Sequence, residues 1–168
     1  MEEILQQNNA DLTEKFVDIL EKDEKLLKVY KPNKKKFWWY VCLITIVTIV
    51  GIPFLPVVCL FAGAYYKKRF YAYSCKRVII RGGIIGVDYK SLEFRDLTAT
   101  VVKVGALDKM VKQNTGMVEF GSPGSPLGTN AAGMPNPYRY VHVEKPYDVM
   151  REIRELIEQT RNPKITVE

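Results

Sequence analysis

The sequence predicts an α+β chain in which a hydrophobic hairpin precedes an antiparallel β-sheet domain closed by a C-terminal helix. Three observations carry that reading. Thirty consecutive residues, 37–66, contain no Asp, Glu, Lys, Arg or His. Between residues 70 and 143, short β-branched and aromatic runs alternate with turn residues, the pattern of antiparallel strands. Near the C-terminus, Val149, Met150, Ile153, Leu156 and Ile157 form one apolar stripe at helical spacing.

With 168 residues, 47% hydrophobic content and a formal net charge of +6, the chain is too apolar for disorder and long enough for one domain beside a membrane segment. The basic excess flanks the apolar block: Lys31, Lys34, Lys35 and Lys36 precede it, and Lys67, Lys68, Arg69, Lys76 and Arg77 follow it. Cys42, Cys59 and Cys75 form no CxxC pair and two of them fall inside the block, so they read as small apolar side chains. The domain after residue 69 is accordingly expected to face a reducing compartment. The first thirty residues hold no apolar core of a signal peptide, and none is expected.

Taken in order, Asp11-Leu12-Thr13-Glu14 is a capping-box pattern, and Leu12, Phe16, Ile19 and Leu20 recur at helical spacing. An amphipathic helix over 11–22 follows, expected to pack on the domain or on another subunit. Residues 25–30 read as a strand leading into the apolar block. As one straight helix the block would measure about 45 Å, against about 30 Å for a hydrocarbon core. Gly51, Pro53 and Pro56 break it in the middle and predict a hairpin turn. Lysine-rich flanks at both ends place both on the cytoplasmic side. Each arm is then about 14 residues, or about 21 Å, short for a full crossing. The hairpin either crosses a thinned bilayer or enters without traversing it, and a single kinked, tilted span is the alternative. Trp38, Trp39 and Tyr40 at one end and Tyr65 and Tyr66 at the other have the character of interfacial belts. The expected location is the cytoplasmic membrane, with the N-terminus and the β-domain both cytoplasmic.

After the block, strands are expected over 70–74, 77–81, 84–89, 98–104, 116–120 and 138–143, with a tight hairpin at Arg81-Gly82-Gly83-Ile84. Residues 107–114 form an irregular connection, and 121–137, dense in Gly, Pro, Ser and Asn, a long loop. Pro146 suits the first turn of the closing helix. The chain divides into an N-terminal helix and basic segment at 1–36, the membrane hairpin at 37–66, the β-domain at 67–161 and a frayed tail at 162–168.

Nothing in the sequence points to catalysis. His142 is the sole histidine, no Cys or carboxylate group has metal-ligand spacing, and no Ser or Cys has a nucleophile motif. The run Gly121-Ser122-Pro123-Gly124-Ser125-Pro126-Leu127-Gly128 lacks the GK[ST] ending of a phosphate loop and stands instead as a candidate contact surface. No cofactor or metal is expected, and no nucleic-acid reader motif accompanies the basic charge. Each Lys or Arg near an anionic leaflet contributes about 1 kcal/mol, which makes Lys34, Lys35, Lys36, Lys67, Lys68, Arg69, Lys76 and Arg77 lipid-headgroup candidates. The alternative is that these cations only set topology.

The order of several segments resembles the bacterial pleckstrin-homology-like domain proteins, in the membrane-anchored branch with a short hydrophobic hairpin before the domain. The resemblance covers most of the chain. It rests on Glu24-Lys25-Leu26-Leu27 before Pro32, the apolar block, Tyr73-Ser74-Cys75-Lys76-Arg77-Val78-Ile79, and Arg81-Gly82-Gly83. It continues through Ser91-Leu92-Glu93-Phe94-Arg95-Asp96-Leu97, residues 116–121, and Val143-Glu144-Lys145-Pro146 ahead of the last helix. It implies seven antiparallel strands in a strongly bent barrel or sandwich, two sheets packed nearly orthogonally with the C-terminal helix plugging one open end. The function expected is a non-enzymatic, membrane-anchored adaptor that contacts anionic lipid, a protein partner, or both. The alternative is a structural, homo-oligomeric subunit or accessory scaffold of a larger membrane complex.

Overall fold

In a computed structural model, the described residues are 13–47, 55–83, 86–105, 114–128 and 134–161. Seven strands and three helices are defined among them: β1 (Leu26–Tyr30), α1 (Lys34–Val47), α2 (Leu55–Lys68), β2 (Phe70–Ser74), β3 (Arg77–Gly82), β4 (Asp88–Glu93), β5 (Ala99–Lys103), β6 (Thr115–Gly121), β7 (Arg139–Glu144) and α3 (Pro146–Arg161). Strands β1 to β4 form one antiparallel sheet in sequence order, and β5 to β7 form a second. The two sheets share no ladder, so the barrel expected as one option is not closed.

The core lies between the sheets and under α3. Tyr71, Tyr73, Val78, Ile80 and Leu92 come from the first sheet, Val118, Phe120, Tyr140 and Val143 from the second, and Val149, Ile153 and Ile157 from the apolar stripe of α3. Tyr140 joins the two sheets. Its ring stacks on Tyr71 with centroids 4.7 Å apart, and its buried hydroxyl donates to the Ala72 carbonyl. Returning the bond, the Tyr71 hydroxyl accepts from the Val141 N–H at 2.9 Å. Glu152 on α3 fastens the helix to the sheet: it accepts from the Tyr73 hydroxyl at 2.6 Å, the Tyr30 hydroxyl at 2.8 Å and Lys28 Nζ at 2.9 Å. Burial works against its charge, yet these donors outweigh it and hold the carboxyl below the usual carboxylate range.

Of the predicted N-terminal helix, residues 13–17 are helical and 18–24 continue as turns, while residues 11 and 12 lie outside the described ones. This segment packs on the outer face of the first sheet, as one of its two expected roles required. Phe16 is fully buried with Phe70, Ala72 and Ile79, and Ile19 and Leu20 lie against the same cluster.

Strand β2 forms over the residues expected, and β3, β5, β6, β7 and α3 fall within a residue or two of their predicted bounds. Strand β4 is displaced from 84–89 to Asp88–Glu93, and the tight hairpin at 81–84 becomes a longer connection. The pairing of Gly82 with Asp88 leaves five residues between the strands. Gly83 sits there at φ 116°, where a Cβ would lie 2.6 Å from the Gly86 carbonyl oxygen, so no other residue fits.

The membrane prediction is overturned. No helix among the described residues is long and apolar enough to cross a membrane. The physical reason is the break at the centre of the charge-free block combined with the lysines at its ends. Helices α1 and α2 have 14 residues each, α1 spends its first three on Lys34, Lys35 and Lys36, and α2 ends on Lys67 and Lys68. At about 1.5 Å per residue either helix is about 21 Å long, well short of a hydrocarbon core. The transmembrane hairpin, the membrane-protein assignment and the cytoplasmic-membrane location with both ends on one face are withdrawn together. Gly51 and Pro53 of the predicted turn lie outside the described residues, and Pro56 is the exposed second residue of α2.

The apolar block instead forms a helical pair inserted between two neighbouring strands of one sheet. Because β1 pairs with β2, the chain must leave and re-enter at the same place, and the start of α1 meets the end of α2. There the Phe37 ring lies 5.2 Å from Tyr66 and 6.1 Å from Tyr65.

Candidate functional site

The root of the helical pair is built around Asn33, a residue the sequence did not single out. Its side-chain oxygen accepts from the Lys36 N–H at 2.9 Å and so caps α1. Its own N–H donates to the His142 carbonyl at 2.7 Å, and its side-chain amide donates to Glu144 at 2.5 Å. From α2, the Tyr66 hydroxyl donates to the Pro32 carbonyl at 2.9 Å. These bonds seat both helices on β7. His142 takes the left-handed conformation, φ 58°, as it turns its carbonyl toward Asn33. Its ring is half-buried, with centroids 5.1 Å from Tyr40 and 6.4 Å from Phe37. Burial first, then the neighbouring charges of Lys36 and Arg69, push its pKa down to about 4. The imidazole is therefore neutral near pH 7 and is a wall of the site with no acid–base partner.

Two adjoining cavities open beside this root. The larger, about 440 Å³, lies between the end of α2 and the β3–β4 connection, lined by Tyr65, Arg69, Gly83, Asp88 and Lys90 among others. The smaller, about 120 Å³, is lined by Phe37, Tyr71, Arg139 and His142, and again by Tyr65 and Arg69. Arg69 therefore stands where the two meet. Its Nε donates to the Tyr71 hydroxyl at 2.8 Å, and its guanidinium lies 4.9 Å from the Tyr65 ring centre and 5.5 Å from that of Tyr71. Beside two rings and held at Nε, the guanidinium has little rotamer freedom left to lose. Among the described residues no carboxylate is paired with Arg69, Lys90 or Arg139, and Asp88 is the one acidic side chain lining either space.

The other predicted headgroup residues divide sharply. Lys34, Lys35 and Lys67 are exposed around the root, and Lys68 reaches the Gly86 carbonyl at 3.4 Å. Lys36 is buried, and burial lowers its pKa. Lys76 and Arg77 lie elsewhere. Arg77 holds the buried Glu24 through Nε at 2.9 Å and Nη2 at 2.5 Å, and also donates to the Ile19 carbonyl at 2.9 Å. Ser74 adds a short hydrogen bond to Glu24, and together Arg77 and Ser74 outweigh burial and keep this carboxyl ionised. Lys76 pairs with Glu21 at 2.8 Å on the surface.

Of the predicted interfacial aromatics, Tyr65 and Tyr66 serve the site and the root, Trp38 is half-buried against Phe37, and Trp39 and Tyr40 are exposed. Lys90 and Arg139 were missed because neither stands in a local pattern. The long loop is tied at its base, where Asn136 donates to the Phe120 carbonyl at 2.7 Å and Glu119 accepts from the Gly128 N–H at 2.6 Å. Residues 129–133 of that loop lie outside the described ones. Among the described residues no group of three or more His, Cys, Asp or Glu could hold a metal ion.

Solved pleckstrin-homology proteins are among the chain's structural neighbours. One is a DUF1696 family protein with a pleckstrin-homology domain from Shewanella loihica, 11% identical, with a TM-score of 0.48 over 88% of this chain and 95% of that one. Another is a pleckstrin-homology domain from Shewanella amazonensis, 15% identical, with a TM-score of 0.41 over 89% of this chain and 94% of that one. No family model and no curated protein matches the chain.

Proposed function

We propose that the chain is a non-enzymatic binding module that takes a phosphate-bearing ligand at the root of its helical pair. The observation that carries this reading is the placement of Arg69, fixed beside two tyrosine rings at the junction of two cavities, with Lys90 and Arg139 on either side and, among the described residues, no carboxylate paired with any of the three. A preorganised guanidinium suits a phosphate because its donors match the oxygens two at a time. Lys34, Lys35 and Lys67 add positive potential at the rim, which raises the rate of encounter with an anion. Asp88 across the larger cavity suits a hydroxyl or amine next to the phosphate, as in a phosphorylated polyol.

The phosphate can belong to a free small molecule or to a lipid headgroup met from the aqueous side. Calorimetry of the full chain with glycerol phosphate, in parallel with co-sedimentation on phosphatidylglycerol and phosphatidylcholine vesicles at physiological salt, separates the two sources. Saturable, salt-sensitive binding in the first or to the anionic vesicles in the second, weakened at least about tenfold by Arg69→Ala with Lys90→Ala, supports the reading. Absence of binding in both arms, or equal binding by the double variant, overturns it.

A further inference from the structure

Away from its root, the helical pair presents an apolar face that is exposed among the described residues. Trp39, Cys42 and Ile46 recur at i, i+3 and i+7 on α1, and Val57, Leu60 and Phe61 at i, i+3 and i+4 on α2, one stripe on each helix. The five large side chains among them are between 49% and 74% exposed, and Val58 adjoins them on α2.

We propose that this face is covered by the same face of a second copy, so that two helical pairs close into a four-helix bundle. Four arguments select that occupant. The first is area. Six side chains at roughly 100 Å² apiece offer about 600 Å² per copy, so a dimer buries about 1,200 Å², the lower end of a stable specific interface and as much as a lone protein usually exposes in its largest patch. The second is charge. No ionisable acid or base other than Cys and Tyr occurs in residues 37–66, so the face meets its own copy without like-charge repulsion, whereas a charged partner would bury unpaired groups. Head-to-tail seating also keeps the two lysine-rich roots at opposite ends of the bundle. The third is helix length. Two 14-residue helices are marginal on their own, and four supply the missing side of a bundle core. The fourth is presentation. Asn33 and Tyr66 seat the pair firmly on the β-domain, so association orders little that is not already ordered.

The test is light scattering of the full chain in detergent-free buffer at micromolar concentration, with mapping of Cys42 by a polar thiol reagent. The expected mass is twice the chain's 19.3 kDa, falling to once that value in Ile46→Glu with Leu60→Glu, while far-ultraviolet circular dichroism is unchanged. Cys42 should react at least about tenfold faster in the double variant, because the face that shields it has opened. Should that variant fail to fold, Phe61→Ser offers a milder route to the same mass change. A monomeric parent with reactive Cys42 overturns the proposal, as does a dimer whose mass neither variant moves. A parent that is monomeric and floats with neutral phosphatidylcholine vesicles also overturns it, since lipid then covers the face.

Discussion

The basic residues around the root of the helical pair and those at the turn between β2 and β3 are similar in composition, and the fold puts them to opposite uses. Around the root of the helical pair, Arg69 meets aromatic rings and open space, and the nearby lysines face solvent. One strand later, Lys76 and Arg77 are committed to Glu21 and Glu24 of the N-terminal segment. A run of Lys and Arg is therefore neither a binding site nor a structural device by composition. What decides is whether the fold delivers a carboxylate to it. Glu24 reaches Arg77 from 53 residues away, and among the described residues no carboxylate pairs with Arg69.

The contrast is broken most forcefully at Arg77. Removing it leaves the Glu24 carboxylate buried with Ser74 and one backbone N–H as its remaining donors. Loss of one partner of a buried pair costs about 3–5 kcal/mol, and the partial exposure of Arg77 puts the expected loss at the lower end. Arg77→Ala should reduce the unfolding free energy by about 3 kcal/mol in urea denaturation and make the segment at 13–24 the first site of proteolysis, since the same side chain holds the Ile19 carbonyl. At temperatures where it stays folded, its affinity for the phosphate probe should match the parent's. Arg69→Ala should do the reverse, lowering that affinity with a stability loss of about 1 kcal/mol from its ring contacts. Equal behaviour of the two variants in both assays would dissolve the distinction.

The same contrast marks what the sequence could reveal. Strand β2 was legible as a continuous aromatic run, buried on both faces, and α3 as an apolar stripe whose helical period burial follows. Strand β4 was not. Of its six residues only Leu92 is buried, so the charged residues around it mask the alternation, and the neighbouring isoleucines drew the predicted strand four residues upstream. The length of the apolar block and the break inside it were equally visible, and the break already implied arms of about 14 residues. Their consequence, two helices too short to cross a bilayer, follows once lysines occupy the outer turns. Of the cations around the candidate site, Arg69, Lys34, Lys35 and Lys67 stood among the residues that the sequence singled out. Lys90 and Arg139 come from different sheets and meet Arg69 through pairings that no local pattern encodes, whereas Asn33 caps α1 through a local bond that its place just ahead of the helix signals.

His142 sharpens the comparison at the binding side. Its pKa is lowered to about 4 against 6.5 for the free side chain, so protons prefer the unfolded chain. Stability conferred by the neutral ring is complete above pH 6.5 and is lost as pH falls toward 4. With the ring only partly buried, the loss at the acid end should be on the order of 2 kcal/mol, less than the full shift implies. Asn tolerates the left-handed backbone found here, so His142→Asn should fold and flatten the stability profile between pH 6.5 and 4 relative to the parent. A variant profile parallel to the parent's would mean that protonation of His142 does not oppose folding. An anion bound at Arg69 should move the parent's acid limb to lower pH, because it offsets the positive charge that disfavours imidazolium.

The smallest effect belongs to Lys76, and its smallness is informative. Its pair with Glu21 has the same 2.8 Å separation range as the ion pairs that matter, yet both side chains are about half exposed, at 49% and 57%. Water screens such a pair, and fixing two long side chains costs entropy, so exposed pairs contribute at most about 1 kcal/mol and often nothing. Lys76→Ala should leave the urea midpoint at physiological salt close to the parent's, with no change in affinity for the phosphate probe. A double-mutant cycle with Glu21→Ala measures the pair alone. A clear coupling would show that the N-terminal segment is held by the surface pair as well as by Arg77 and Phe16. A coupling near zero would leave the buried contacts as its whole attachment, as burial rather than distance requires.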